Sequence, residues 1–92
     1  MEFMIDCILW TVITLPPFSM EFWTGDRYTV GMTDLTKHEV YLSDELYGDM
    51  LHRVWMHELC HCFAYSYGLP INPNDEECMC QIMEQLALRL LN

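Results

Sequence analysis

The sequence predicts a small α+β domain, with about three strands in an antiparallel sheet packed on two helices. Three observations lead there. Between residues 3 and 42, runs rich in Ile, Val, Thr, Tyr and Trp are broken by Pro16-Pro17, by Gly25-Asp26 and by residues 34–37. That is the punctuation of short strands and turns. From residue 50 onward there are two helix-length stretches, separated by Gly68, Pro70 and Asn72-Pro73. These are stop and start signals for helices. Finally, 92 residues with 52% hydrophobic content are enough for one thin core, so residues 1–92 are read as one domain.

Taken in order, residues 3–15 read as one strand buried on both sides, or as a strand extended by irregular chain. Phe3, Ile5, Cys7, Leu9 and Ile13 lie on one face and Met4, Ile8, Trp10 and Val12 on the other. Pro16-Pro17 ends it, because two missing N–H groups cannot continue a ladder. Residues 18–23 read as a short strand or an ordered loop, and Gly25-Asp26 as a turn. Residues 27–33 read as a strand in which Gly31 marks a bulge or a close approach of another backbone. Residues 38–42 read as its hairpin partner. Ser43 is a candidate helix cap, with Asp44 and Glu45 suited to the first turn of a helix. Gly48-Asp49 interrupts or restarts that helix.

Residues 50–67 are helical in pattern. Gly68 fits the left-handed position past a helix end, and Pro70 follows as a stop. Asn72 then caps a last helix with Pro73 in its first position. Met79, Ile82, Met83, Leu86 and Leu90 give that helix one apolar stripe, expected to face the core.

The formal net charge is -10, with Arg27, Lys37, Arg53 and Arg89 the only Lys or Arg residues. So acidic a chain repels phosphate backbones, which excludes direct nucleic-acid binding. The five cysteines are odd in number and follow no secretory leader, which argues for a reducing compartment. The apolar run 7–18 is too short to span a membrane, and no basic residue precedes Arg27. A cytoplasmic protein without membrane contact is therefore expected.

The chemistry concentrates at His57-Glu58-Leu59-Cys60-His61, an H-E-x-x-H pattern inside a predicted helix. Residues four apart share one helical face, so both imidazoles can reach one ion. Two neutral imidazoles bind Zn²⁺ and leave positions for a third ligand and a water. Zinc brings the pKa of that water toward neutrality, and Glu58 is placed to take its proton.

A third ligand must come from the chain after the turn at residues 68–73. The candidates are Glu76 and Glu77, with Glu77 preferred because it sits one turn into the last helix. Asp75 and Glu76 are then expected to be first-turn charges facing water. Gln81, four residues beyond Glu77, is a candidate partner for the outer nitrogen of a ligating His. Tyr65, four beyond His61, is a candidate for stabilising an oxyanion. Cys60, Cys62, Cys78 and Cys80 read as small apolar residues, with Cys80 close enough in sequence to Glu77 to approach the metal. His38 and His52 read as solvated.

These residues resemble the gluzincin type of metallopeptidase, and within it the small ImmA/IrrE-like proteins of phages, mobile elements and their hosts. The resemblance rests on the H-E-x-x-H motif and on Glu77-Cys78-Met79-Cys80-Gln81. It rests also on the lead-in Gly31-Met32-Thr33-Asp34-Leu35 with Val40-Tyr41-Leu42-Ser43. It covers roughly residues 27–90 and implies a zincin-like fold. It further implies His57, His61 and Glu77 as zinc ligands and Glu58 as general base. The implied reaction is hydrolysis of peptide bonds in a protein or peptide substrate, with a regulatory protein a natural target. An extended peptide would add to an edge strand at residues 27–33 or 38–42. Gln81 departs from the acidic or Asn residue usual at its position. The chain's small size favours a second copy or a protein partner. The alternative function is a weakly active or inactive protein of this fold that binds such a partner.

Overall fold

The computed structural model describes residues 1–91, and the side chains of all of these but Ala87, Leu90 and Leu91. Strands β1 (Glu2–Ile5), β2 (Ile8–Leu15), β3 (Gly31–Asp34) and β4 (Glu39–Ser43) precede helices α1 (Gly48–Ser66) and α2 (Pro73–Leu91). The strands form one sheet in the order β1-β2-β4-β3. The outer pairs are antiparallel and the central pair, β2 with β4, is parallel. The α+β class stands, but the sheet is four-stranded and mixed rather than three-stranded and antiparallel.

The additional strand comes from residues 3–15, which form a hairpin and not one strand. Asp6 and Cys7 sit at φ 48° and 69°, as the two central residues of a tight primed turn must. Ile5 therefore pairs with Ile8. Because the loop has two residues, odd positions of β1 share a face with even positions of β2. Ile5 and Trp10 accordingly join Val40, Leu42 and Cys62 in the core, with Phe3, Ile8 and Val12 packed against it. Met4 and Leu9 are exposed.

The parallel pairing arises because the chain leaves β2, crosses to the far edge, forms β3, and returns as β4 between them. Residues 16–30 make this crossing. There the turn Met20–Phe22 is 3₁₀-helical and Phe22 is fully buried. Thr29 and Ser43 donate their amides to the carbonyls of Phe22 and Val30, both at 2.9 Å.

The hairpin of β3 and β4 forms as expected, although β3 begins at Gly31. Before it, Trp23 and Tyr28 make only an isolated bridge. Asp34 Oδ1 organises the turn by accepting from the amides of Thr36 and Lys37, each at 3.0 Å. Ser43 does not cap a helix. It is buried in β4, and α1 starts at Gly48 with φ 59° and Asp49 in its first turn.

The end of α1 follows the sequence closely. Gly68 has φ 60°, and its amide bonds the Tyr65 carbonyl at 3.1 Å while that of Leu69 bonds Ala64 at 3.0 Å. This is the Schellman arrangement. Asn72 caps α2 as expected, its Oδ1 accepting from the Asp75 amide at 2.9 Å.

The apolar stripe of α2 is a correction. Ile82, Met83 and Leu86 are exposed rather than core-facing, Met79 is half-buried, and Leu90 lies outside the described side chains. The face that α2 turns inward carries Glu76, Cys80 and Glu84 instead. Among the described residues, no helix is long and apolar enough to cross a membrane.

Candidate metal centre

His57 and His61 project from one side of α1 with ring centroids 5.1 Å apart, as the i, i+4 spacing requires. The antiparallel turn through Gly68 brings the start of α2 against them. Glu77 then spans both rings. Its Oε1 lies 2.8 Å from His61 Nε2 and its Oε2 lies 3.2 Å from His57 Nε2. Three of the residues expected to share one ion therefore converge. Glu77 is half exposed and sits on the solvent side of the pair.

Glu58 lies beside them and is buried. Its Oε1 accepts a 2.8 Å hydrogen bond from the Thr33 hydroxyl on β3. Burial pushes the Glu58 carboxyl above the usual carboxylate range, while the Thr33 bond and the two imidazoles pull the other way. Burial also pushes the Cys62 thiol up to about 12, with the Glu58 charge adding to the effect. The strand can come this close because position 31 is Gly. A Cβ there would stand 2.6 Å from Val54 Cγ1 and 3.3 Å from Glu58. Gly31 is thus a site of close approach, one of the two roles its position in the strand suggested.

The outer nitrogens of the histidines are served by residues the sequence reading did not choose. His61 Nδ1 is 2.5 Å from Glu76 Oε2, and His57 Nδ1 is 3.7 Å from Glu84 Oε1. Glu76 therefore turns inward rather than to water. Gln81, the expected partner, is exposed and lines a groove on the outer side of α2 with Cys78 and Ile82. A usable signal was present: Glu76, Cys80 and Glu84 recur every four residues and must share a face. Tyr65 does not reach the site either. Its ring packs on Trp10 at 6.0 Å and on His38 at 5.7 Å, because α1 carries it past the cleft to the sheet side. His38 is accordingly half-buried in an aromatic cluster.

The cysteines divide. Cys62 is in the core, Cys78 is exposed, and Cys80 is fully buried. Donor atoms of His57, His61 and Cys80 all lie within 4.8 Å of one another, close enough to hold a metal ion. His57, Glu58, His61, Glu76 and Glu77 open into a cleft of about 340 Å³ lined on the other side by Thr29, Gly31, Met32 and Thr33, and Cys80 lies behind it.

The donor set suits a divalent cation. With zinc–nitrogen bonds of about 2.0–2.1 Å, neighbouring donors of a tetrahedral site stand about 3.3–3.4 Å apart. The Glu77 oxygens are already near that separation from both Nε2 atoms. The carboxyl groups of Glu58, Glu76, Glu77 and Glu84 also crowd two imidazoles, and a bound cation offsets their mutual repulsion. The fold and site thus define a small α+β domain with a candidate His-His-carboxylate or His-His-Cys metal centre. No protein-family model matches the chain, no curated protein matches its sequence, and no solved structure matches its fold.

Proposed function

We propose that this protein is a zinc-dependent metallopeptidase, similar to minimal zincins of the gluzincin and ImmA/IrrE-like type. The observation that carries the reading is the double contact of Glu77 with the Nε2 atoms of His57 and His61, 3.2 and 2.8 Å away, beside a buried Glu58. His57, His61 and Glu77 hold the ion. When bound, it supplies Lewis acidity and brings the pKa of water toward neutrality.

The chain's own residues supply the remaining steps. Thr33 occupies one oxygen of Glu58, which leaves Oε2 to take a proton from water and pass it to the leaving amine. Burial, which raises the affinity of this carboxylate for a proton, favours that role. Glu76 orients the His61 imidazole from behind, and Glu84 lies 3.7 Å from the outer nitrogen of His57 and 3.9 Å from Arg53. The substrate enters as an extended peptide along β3, the strand at the open edge of the sheet next to the cleft. β4 is internal to the sheet and is not available for this.

A second reading is favoured by one observation. Ile82, Met83 and Leu86 leave an apolar face of α2 uncovered, as a protein that acts by contact would. Glu58→Gln separates the two. For a peptidase, this variant keeps its metal and its thermal midpoint but cleaves a peptide library more slowly by about 10²-fold or more. Cleavage unchanged by Glu58→Gln, or none in the metal-loaded protein whether Cys80 is present or replaced by Ser, overturns the peptidase.

A further inference from the structure

We propose that Cys80 is a fourth protein ligand to the ion held by His57 and His61, and that it keeps the resting site closed to water. The proposal rests on the metal reading above and deepens it. Cys80 is fully buried between the helices, on the same face of α2 as Glu76 and Glu84. Those two neighbours face His61 and His57 respectively, so the row they share with Cys80 is the one turned toward the rings. Its sulfur is within 4.8 Å of a nitrogen of each. Glu77 approaches the same rings from the exposed side. An ion held by the two imidazoles would meet Cys80 on the buried side and Glu77 on the exposed side.

The chemistry of the donors agrees. Thiolate is the softest ligand available and favours zinc over magnesium, calcium or manganese. Binding forms a metal–sulfur bond and releases the thiol proton to solvent. Four protein donors are the mark of a closed zinc site, whereas a hydrolytic site keeps one position for water. Cys80 must therefore leave the ion before hydrolysis begins. Cys60 is buried beside Cys80 and offers the displaced thiol a neighbour. Cys62 and Cys78 do not compete, since one is in the sheet-side core and the other is exposed.

Cobalt substitution of the full chain tests this. Loaded with Co²⁺, the wild type is expected to show an intense near-ultraviolet sulfur-to-metal charge-transfer band. Cys80→Ser loses that band, while Cys60→Ser and Cys62→Ser keep it. Cys80→Ser also loses zinc to a chelator more readily, and it gains peptidase activity. A wild-type cobalt spectrum with only weak visible bands overturns the role of Cys80 and leaves the His57, His61 and Glu77 site standing. A band that survives in Cys80→Ser also overturns it. No cobalt uptake at all overturns both the thiolate and the metal reading. A wild-type spectrum without the band decides against Cys80 with no variant needed, and circular dichroism establishes that Cys80→Ser is folded.

Discussion

On α1, the buried positions are mostly small and apolar, with Glu58 and Ser66 the polar exceptions. Cys60, Cys62 and Ala64 are inside, and Val54, Trp55 and Leu59 pack against the sheet. On α2 the order is reversed. Its inner face carries Glu76, Cys80 and Glu84, while Ile82, Met83 and Leu86 face solvent. The first helix is placed by apolar burial, and the second by what two imidazoles require. A carboxylate is normally costly to bring into such a position. It is tolerated here because His57 and His61 stand opposite.

This contrast can be broken at its inner face first. Glu76→Gln removes the charged partner of His61 and is expected to weaken zinc binding by about 10–100-fold in a chelator competition. An unchanged affinity would mean that the ring needs no support from α2. The second test lies where α1 meets the sheet. Gly31→Ala forces β3 away from Val54 and Glu58, and should lower stability by about 1–3 kcal/mol in urea unfolding. The smallest effect is expected on the outer face of α2. Ile82→Ser should shift stability by no more than about 0.5 kcal/mol and leave zinc affinity as it was. A larger loss would show that this face is covered in solution.

The same contrast explains what the sequence could and could not disclose. The grouping of His57, Glu58 and His61 was legible because helical spacing is local and an H-E-x-x-H pattern carries its own geometry, whereas Glu77 was chosen from its place one turn into α2. The capping of α2 by Asn72 and the left-handed Gly68 were legible for the same reason. The orientation of α2 was not. Its apolar residues recur at three and four, but so does the Glu76, Cys80, Glu84 row, and only the opposing histidines decide between them. Thr33 was hidden because its contact with Glu58 spans strand and helix. The parallel pairing of β2 with β4 leaves no local trace. The turn at Asp6-Cys7 lacks the glycine that announces most such turns.

The parallel pairing also bears on how the molecule is assembled. The residues of the candidate site, from Thr29 to Glu84, belong to the stretch that leads into β3 and runs on through β4, α1 and α2. Contacts within neighbouring segments close cheaply and early, and those across long loops come later. The N-terminal hairpin joins that stretch by the pairing of Thr11–Leu15 with Glu39–Ser43, across the whole of residues 16–38. The expected sequence of events is a nascent cleft first, with β1 and β2 docking onto a strand already in place. Pulsed hydrogen exchange would see this as protection of the β4 amides facing β3 before those of β2.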